Sequence, residues 1–205
     1  MEMYLSQQRK ADKGKRVSRI SVGLVIMAVV FGLAGSSARA EDKPEIPPMV
    51  TLPDGSKTQE GAKDEDGKWV LPDGTISYRV KKDGGLDWYS YSGFKRYHDV
   101  GGCQQCHGPA GKGSTYAPSL VDSLKNFTYA DFLTIVATGR VREAVGTSFR
   151  MPAMGDNRNV MCYIEDIYAY LKGRSQGAIN DLRPSARARD DKPKPARVFE
   201  EECFK

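Results

Sequence analysis

The stretch Cys103-Gln-Gln-Cys-His107 puts two thiols and an imidazole within five residues, and three chemistries compete for it. A dithiol redox pair uses the cysteines alone and normally opens a helix whose dipole lowers one thiol pKa. A zinc site gathers thiolates and imidazoles as separated pairs around one tetrahedral ion. Covalent haem attachment uses all three residues: two thiols spaced by two residues add to the two vinyl groups on one porphyrin edge, and the next residue supplies a nitrogen beneath the iron.

The surroundings discriminate among these readings. Gly108, Pro109 and Gly111 follow the motif and oppose a helix beginning there, which argues against the dithiol switch. Zinc lacks a second ligand pair: the remaining cysteines, Cys162 and Cys203, lie forty-one positions apart, and the other histidine is His98. Haem attachment accounts for every residue, with Cys103 and Cys106 as thioether anchors of one covalent haem c and His107 as an axial metal ligand.

A second axial ligand must reach the opposite haem face, and His98 is too near His107 to do so. Methionine is the candidate, from Met49, Met151, Met154 and Met161. Met151 precedes Pro152 in a loop forty-four residues after His107, and a residue before proline is held out of the helical region. Met-Pro therefore presents its thioether from a stiff, extended segment. Met151 is the expected ligand and Met154 the alternative; Met49 and Met161 read as core filler. A thioether favours ferrous iron more than a second imidazole would, and two filled axial positions argue against substrate binding at iron.

The chain ends set the compartment. A basic N-terminal run, the uncharged apolar stretch ISVGLVIMAVVFGLAG of 16 residues and an Ala-Arg-Ala exit read as a secretory leader over 1–40, cleaved after Ala40. The alternative is an uncleaved anchor, but the run falls short of the roughly 20 residues that span a bilayer. The expected location is periplasmic, without stable membrane insertion after cleavage. Removing seven of 31 basic residues and two of 26 acidic ones leaves 24 of each, a balance with no footprint for nucleic acid. In an oxidising compartment Cys162 and Cys203 form an even pair, so a disulfide pinning the tail is the default; free thiols or an intermolecular bridge are the alternatives.

Several elements must position these groups. Residues 41–88 carry the weak duplication "TLPDGSK" and "VLPDGTI", turn signals flanked by β-type runs such as Thr75-Ile-Ser-Tyr-Arg-Val80, and read as a hairpin or loop extension. The acidic cluster Asp64-Glu65-Asp66-Gly67 lacks the spacing of a calcium loop and reads as a solvated turn. A helix is expected over about 90–100, and an ordered loop after the motif. A further helix runs from the cap Thr128 to Gly139, with Phe132, Leu133, Ile135 and Val136 on one face. A second loop leads to a helix capped near Asn159 and closed by Gly173, with Val160, Ile164, Ile167 and Leu171 at helical spacing. The polar tail over 175–205 cannot bury much apolar area and is expected to be ordered only through Cys203. Arg140, Arg142 and Arg150 near the loops are candidates for neutralising propionates or simply exposed, and Trp69 and Trp88 read as packing residues.

The segment "CQQCHGPAGKGSTYAPSL" resembles the haem segment of class I cytochromes c, and "RMPAMGDNRNVMCYIEDIYAYLKGR" resembles their methionine loop and C-terminal helix. More narrowly, "GGLDWYSYSGFKRYH", "GSTYAPSL", "GDNRNVMCYIEDIY" and the extra cysteines resemble the four-cysteine c-type cytochromes of methanol metabolism in methylotrophic proteobacteria. The resemblance implies an all-α class I cytochrome c fold over 89–174 around one haem, with an irregular or β-hairpin extension over 41–88 and an extended tail over 175–205. It implies that Gly93 and Tyr97 mark the crossing of the N- and C-terminal helices, and that the Pro118 carbonyl holds the other ring nitrogen of His107. It also implies an electron carrier, not an enzyme, in oxidation of methanol or another small alcohol. Its redox partners would be a pyrroloquinoline-quinone dehydrogenase or that enzyme's cytochrome acceptor, and a downstream cytochrome or oxidase. The rivals are a haem peroxidase or oxidoreductase subunit with an open iron site, and a haem-based sensor.

Overall fold

The computed structural model describes residues 45–100, 102–144, 147–180, 184 and 189–205; the leader expected over 1–40 lies outside them. Between 45 and 87 the chain folds by repeating one turn. Leu52 N–H donates to the Ser56 carbonyl at 2.8 Å, Leu71 N–H to Thr75 at 2.8 Å and Lys81 N–H to Gly85 at 2.7 Å. In each turn an aspartate, Asp54, Asp73 or Asp83, accepts the amide two residues on, at 2.9, 2.8 and 3.0 Å respectively. The next glycine has φ of +79° at Gly55, +83° at Gly74 and +84° at Gly84. Asp supplies the side-chain acceptor and Gly the left-handed conformation. The third copy, Lys82-Asp83-Gly84, lacks the proline and is legible only from its geometry.

Strands β1 (Met49–Thr51) and β2 (Lys57–Gln59) pair antiparallel, as do β3 (Lys63–Glu65) and β4 (Lys68–Val70). The run 75–80 forms no continuous strand. It contributes isolated bridges from Ile76 to Val70 and from Val80 to Lys57 and Leu86. The acidic cluster, read as a turn, is the exposed end of β3 (Asp64 and Glu65) followed by the turn at Asp66 and Gly67, where Gly67 N–H donates to Asp64 Oδ1 at 2.7 Å. Ile76, Tyr78, Val80 and Leu86 share one apolar core with Tyr97, Ile167 and Leu171, so the extension is packed into the body of the protein.

Helix α1 (Trp88–Lys95) begins at the cap Asp87, which accepts Ser90 N–H at 3.0 Å through one oxygen and Arg79 N–H at 2.8 Å through the other. The helix then widens into a π turn over Arg96–Val100, where a single regular helix was expected. A wide turn takes up extra residues before the motif, while Tyr97 stays fully buried beside Tyr170, ring centroids 5.8 Å apart. Further on come α2 (Cys103–His107), α3 (Leu120–Ser123) and α4 (Tyr129–Thr138), the last bounded by the Thr128–Asp131 capping box and Gly139. The segment expected to be a loop after Gly139 is instead a hairpin of β5 (Arg140–Ala144) and β6 (Thr147–Met151). Its alternation, with Val141, Thr147 and Phe149 as strand formers, is too short to stand out in the sequence. The α-helical expectation therefore describes the helices and omits this hairpin.

The long C-terminal helix differs from its sequence reading in three ways. It is split into α5 (Arg158–Met161) and α6 (Ile164–Ser175), with a break at Cys162 and Tyr163; its cap is Asn157, which accepts Asn159 N–H at 3.0 Å; and Gly173 lies inside α6. A Cβ on Gly173 would stand 2.7 Å from Ile179 Cδ1 and 3.2 Å from Tyr78 Cγ, so the glycine serves packing. The chain turns at Gly177 instead, φ +75°. All of α6 except Glu165 is buried, as befits a helix covered on every side. At its crossing with α1, Gly93 faces the Asp166 and Ile167 backbone directly.

The tail is held by more than its cysteine. Asp190 N–H donates to the Leu86 carbonyl at 2.9 Å, Asp190 pairs with Lys81, and the Arg189 guanidinium lies 5.0 Å from the Trp88 ring and 5.2 Å from Tyr91. Helix α7 (Lys194–Cys203) follows, and a disulfide joins Cys203 to Cys162 with Cα atoms 6.0 Å apart. Closing a loop of this length stabilises by about 4 kcal/mol in the chain-entropy account. Cation–π and backbone contacts order a segment whose composition offers little apolar area.

Burial pushes the pKa of Asp166, beside the α1–α6 crossing, up to about 8, with a Ser92 hydrogen bond opposing the shift. Between the ordinary carboxylate pKa and about 8 the folded chain holds a proton that the unfolded chain has lost, so stability falls as pH rises through that window. Asp87, raised to about 6 by burial, adds to the lower part of the same decline. Asp166→Asn is expected to flatten the loss of melting temperature between mildly acidic pH and pH 8. Equal slopes in variant and wild type would refute this.

Candidate haem site

The motif occupies α2, a single turn. It opens at Cys103, contrary to the expectation that the following glycines and proline forbid a helix there. They instead stop it at His107, where Gly108 turns with φ +76°. The turn leaves Cys103 half-buried against the core, Cys106 exposed and His107 buried. Burial pushes the Cys103 thiol up to about 11. A redox dithiol needs the opposite shift, so the site is unsuited to thiol exchange.

His107 Nδ1 lies 2.9 Å from the Pro118 carbonyl. A carbonyl only accepts, so Nδ1 carries the proton and Nε2 keeps its lone pair. Burial also holds the imidazole pKa below its ordinary value, which keeps the ring neutral and able to ligate. The loop from 108 to 119 is wound closely around this bond. Gly113 N–H donates to the His107 carbonyl at 2.9 Å, Tyr97 Oη to the Gly108 carbonyl at 2.5 Å, and Ser114 Oγ to the Cys106 carbonyl at 2.5 Å. A Cβ on Gly113 would come within 2.8 Å of Ser119 N and 3.0 Å of the Ala117 oxygen.

The hairpin brings the methionine segment back to the end of α4. Met151 pairs with Arg140 at the strand ends, and Gly139 allows close approach, since a Cβ there would stand 2.6 Å from the Met151 oxygen. Met154 N–H donates to the Val136 carbonyl at 2.9 Å. Met151 and Met154 are both half-buried and pack against the core, so packing alone does not choose between them. His98 is turned away from ligation: its Nδ1 faces the Phe94 carbonyl and its Nε2 the Pro109 carbonyl, each at 2.8 Å. Arg140, Arg142 and Arg150 are exposed on the hairpin. Trp69 meets the Arg79 guanidinium at 5.2 Å and Trp88 packs on Tyr91 with centroids 6.3 Å apart.

These residues suit haem c. Two thiols on one turn flank a neutral imidazole with one nitrogen fixed and the other available. Leu120, Phe127 and Leu133 join Cys103, Met151 and Met154 as part-exposed apolar residues against the core, the lining that a porphyrin face requires. Sequence reasoning missed the groups that hold the proximal loop: Tyr97 Oη, Ser114 Oγ, and the buried cations Arg174 and Lys172. Arg174 donates to the Ala110 carbonyl at 3.3 Å and Lys172 to the Leu124 carbonyl at 2.6 Å. Backbone carbonyl partners carry no sequence signature.

Fold and site together define a c-type cytochrome, and comparison with known proteins agrees. The chain is 38% identical over 163 residues to cytochrome c-553I of Paracoccus denitrificans, spanning 77% of this chain and 70% of the relative. The chain therefore belongs to the c-type cytochromes, whose haem c is covalently bound. It is also 38% identical over 94 residues to cytochrome c-555 of Methylococcus capsulatus, covering 46% of this chain and 69% of that one. The crystal structure of the c-type cytochrome XoxG from Methylobacterium extorquens AM1 matches with a TM-score of 0.62 and 46% identity, over 70% of this chain and 85% of that chain. No protein-family profile matches the chain. Among the described residues no helix is long and apolar enough to cross a membrane.

Proposed function

We propose that the chain is an exported, periplasmic one-electron carrier in the oxidation of methanol or another small alcohol. It takes electrons from a quinoprotein dehydrogenase pathway and passes them towards a terminal oxidase. Bound haem c supplies a one-electron centre. Cys103 and Cys106 anchor that centre, His107 ligates it through Nε2 with Pro118 fixing the ring, and Met151 offers the second ligand.

The donor set carries the carrier reading: a buried neutral imidazole on α2 and two half-buried thioethers, Met151 at the end of β6 and Met154 in the loop that follows. Held by His107 and a thioether, the iron would keep no open position for substrate, and the site would be limited to electron exchange. The alcohol pathway is supported by the likeness to a Methylobacterium cytochrome. Stopped-flow mixing of the oxidised protein with a quinoprotein methanol dehydrogenase and methanol tests it. Reduction is expected with or without that enzyme's own cytochrome acceptor. A protein that ascorbate reduces, but that the dehydrogenase leaves oxidised in both mixtures, would sink the alcohol assignment.

A further inference from the structure

Lysine is almost never fully buried unless paired with a carboxylate, yet Lys172 has no exposed surface. Its ammonium has three donors, and among the described residues its acceptor is the Leu124 carbonyl at 2.6 Å. Such a group is expensive to bury, and among the described residues no carboxylate forms an ion pair with it.

Its position relative to the haem site is specific. Leu124 ends the short α3, whose Leu120 and Val121 N–H groups donate to the Gly111 carbonyl at 2.8 and 3.1 Å. That helix starts one residue beyond Pro118 and Ser119, and Pro118 holds the His107 ring. The neighbouring Leu171 side chain lies where a Cβ on Gly111 would meet it at 3.5 Å. One packed segment therefore separates the ammonium from the proximal imidazole.

We propose that Lys172 sets the charge and geometry of the haem centre: its buried ammonium, clasped to the Leu124 carbonyl, favours the reduced form and holds the loop that carries the acceptor of His107. The inference rests on haem being held by Cys103, Cys106 and His107. A positive charge in a low-dielectric interior acts over a longer range than one in water, and it disfavours gain of a further positive charge at the iron.

Burial brings the Lys172 pKa down to about 8, within reach of ordinary solution conditions. Above that pH the oxidised protein holds a neutral amine, and uptake of one electron is accompanied by uptake of a proton from solvent at Lys172 Nζ. Other charged groups on the elements around α6 are engaged elsewhere. Asp122 pairs with Lys125, Lys95 with Asp99, and Glu165 with Lys68. Asp131 caps α4, Arg96 lies over the Tyr163 ring, Tyr97 and His98 bond backbone carbonyls, and Arg174 bonds the carbonyls of Ile179 and Ala110. Asp166, on the same helix as Lys172, also titrates in this range, and the test must separate the two.

The measurement is the midpoint potential of the holoprotein from about pH 7 to about pH 10, the range between shifted and ordinary lysine behaviour, after confirming covalent haem in every variant. The wild-type potential is expected to hold steady up to about pH 8 and to fall above it. Lys172→Met is expected to lie lower at neutral pH and to lose the slope. Lys172→Arg keeps the neutral-pH value and stays flat, because guanidinium does not titrate. Asp166→Asn retains the wild-type slope. A purely structural lysine would alter melting temperature and leave the potential of Lys172→Met at the wild-type value, which overturns the proposal. So does a slope that persists in Lys172→Met, or one that vanishes in Asp166→Asn. Should Lys172→Met not fold, a slope retained in Lys172→Arg is equally decisive against it.

Discussion

Met151→Leu is expected to abolish the far-red methionine–iron charge-transfer band of the oxidised protein and to lower its reduction potential, while the haem stays covalently attached. Leucine nearly conserves the volume of methionine, so the packing cost is under about 1.5 kcal/mol and the chain still folds. What is lost is the thioether, the ligand property that favours ferrous iron. Met151 is the better candidate because three local constraints meet on it. Pro152 holds it out of helical geometry, its pairing with Arg140 fixes the strand end, and Gly139 lets its carbonyl come close to the end of α4. Met154 has its own backbone tied to Val136, and Met154→Leu is expected to keep the band. Absorption spectra of the two oxidised variants decide the matter: loss of the band in Met154→Leu alone reverses the assignment. A wild-type protein that lacks the band and turns over peroxide rapidly would instead favour an open iron site.

The parts of this protein legible in its sequence are those where local chemistry dictates local structure. Cys103, Cys106 and His107 are recognisable because the haem reaction needs those types at that spacing, and α4 is bounded where Thr128 and Gly139 say it should be. Where tertiary packing decides, the sequence misleads. Gly173 looks like a helix terminator, but Tyr78 and Ile179 press on it from the extension and the following turn. The hairpin of β5 and β6 escapes notice because five-residue strands carry little periodic signal. The tail reads as unstructured because its anchors, Arg189 on Trp88 and Asp190 on Leu86 and Lys81, are long-range contacts that composition does not reveal. Lys172 is the plainest case, since a lysine near a helix end reads as solvated until the chain covers it.

Gly93→Ala is expected to cause a large loss of stability, since its added methyl would meet backbone more closely than one at Gly113, Gly139 or Gly173. An ideal Cβ at residue 93 would fall 1.8 Å from the Asp166 carbonyl oxygen, 2.4 Å from its carbon and 2.9 Å from Ile167 N. All three are backbone atoms of a buried helix, so no side-chain rotation relieves the overlap, and α1 must move off α6. Displacing α1 also loosens Tyr97 against Tyr170 and strains the Tyr97 bond to the Gly108 carbonyl, carrying the disturbance into the loop around His107. Overpacking of this kind costs about 3 kcal/mol or more, or roughly 6–12 °C in melting temperature for a chain of this size. Gly74→Ala is the informative control. Gly74 also prefers no side chain, with φ +83°, but nothing lies within 4 Å of its added Cβ. Its cost is the left-handed backbone penalty of about 1–2 kcal/mol. Thermal melts of the two holoproteins should therefore rank Gly93→Ala well below Gly74→Ala, with a weakened or heterogeneous charge-transfer band in the former alone. Equal melting temperatures would mean that the helices do not meet at Gly93.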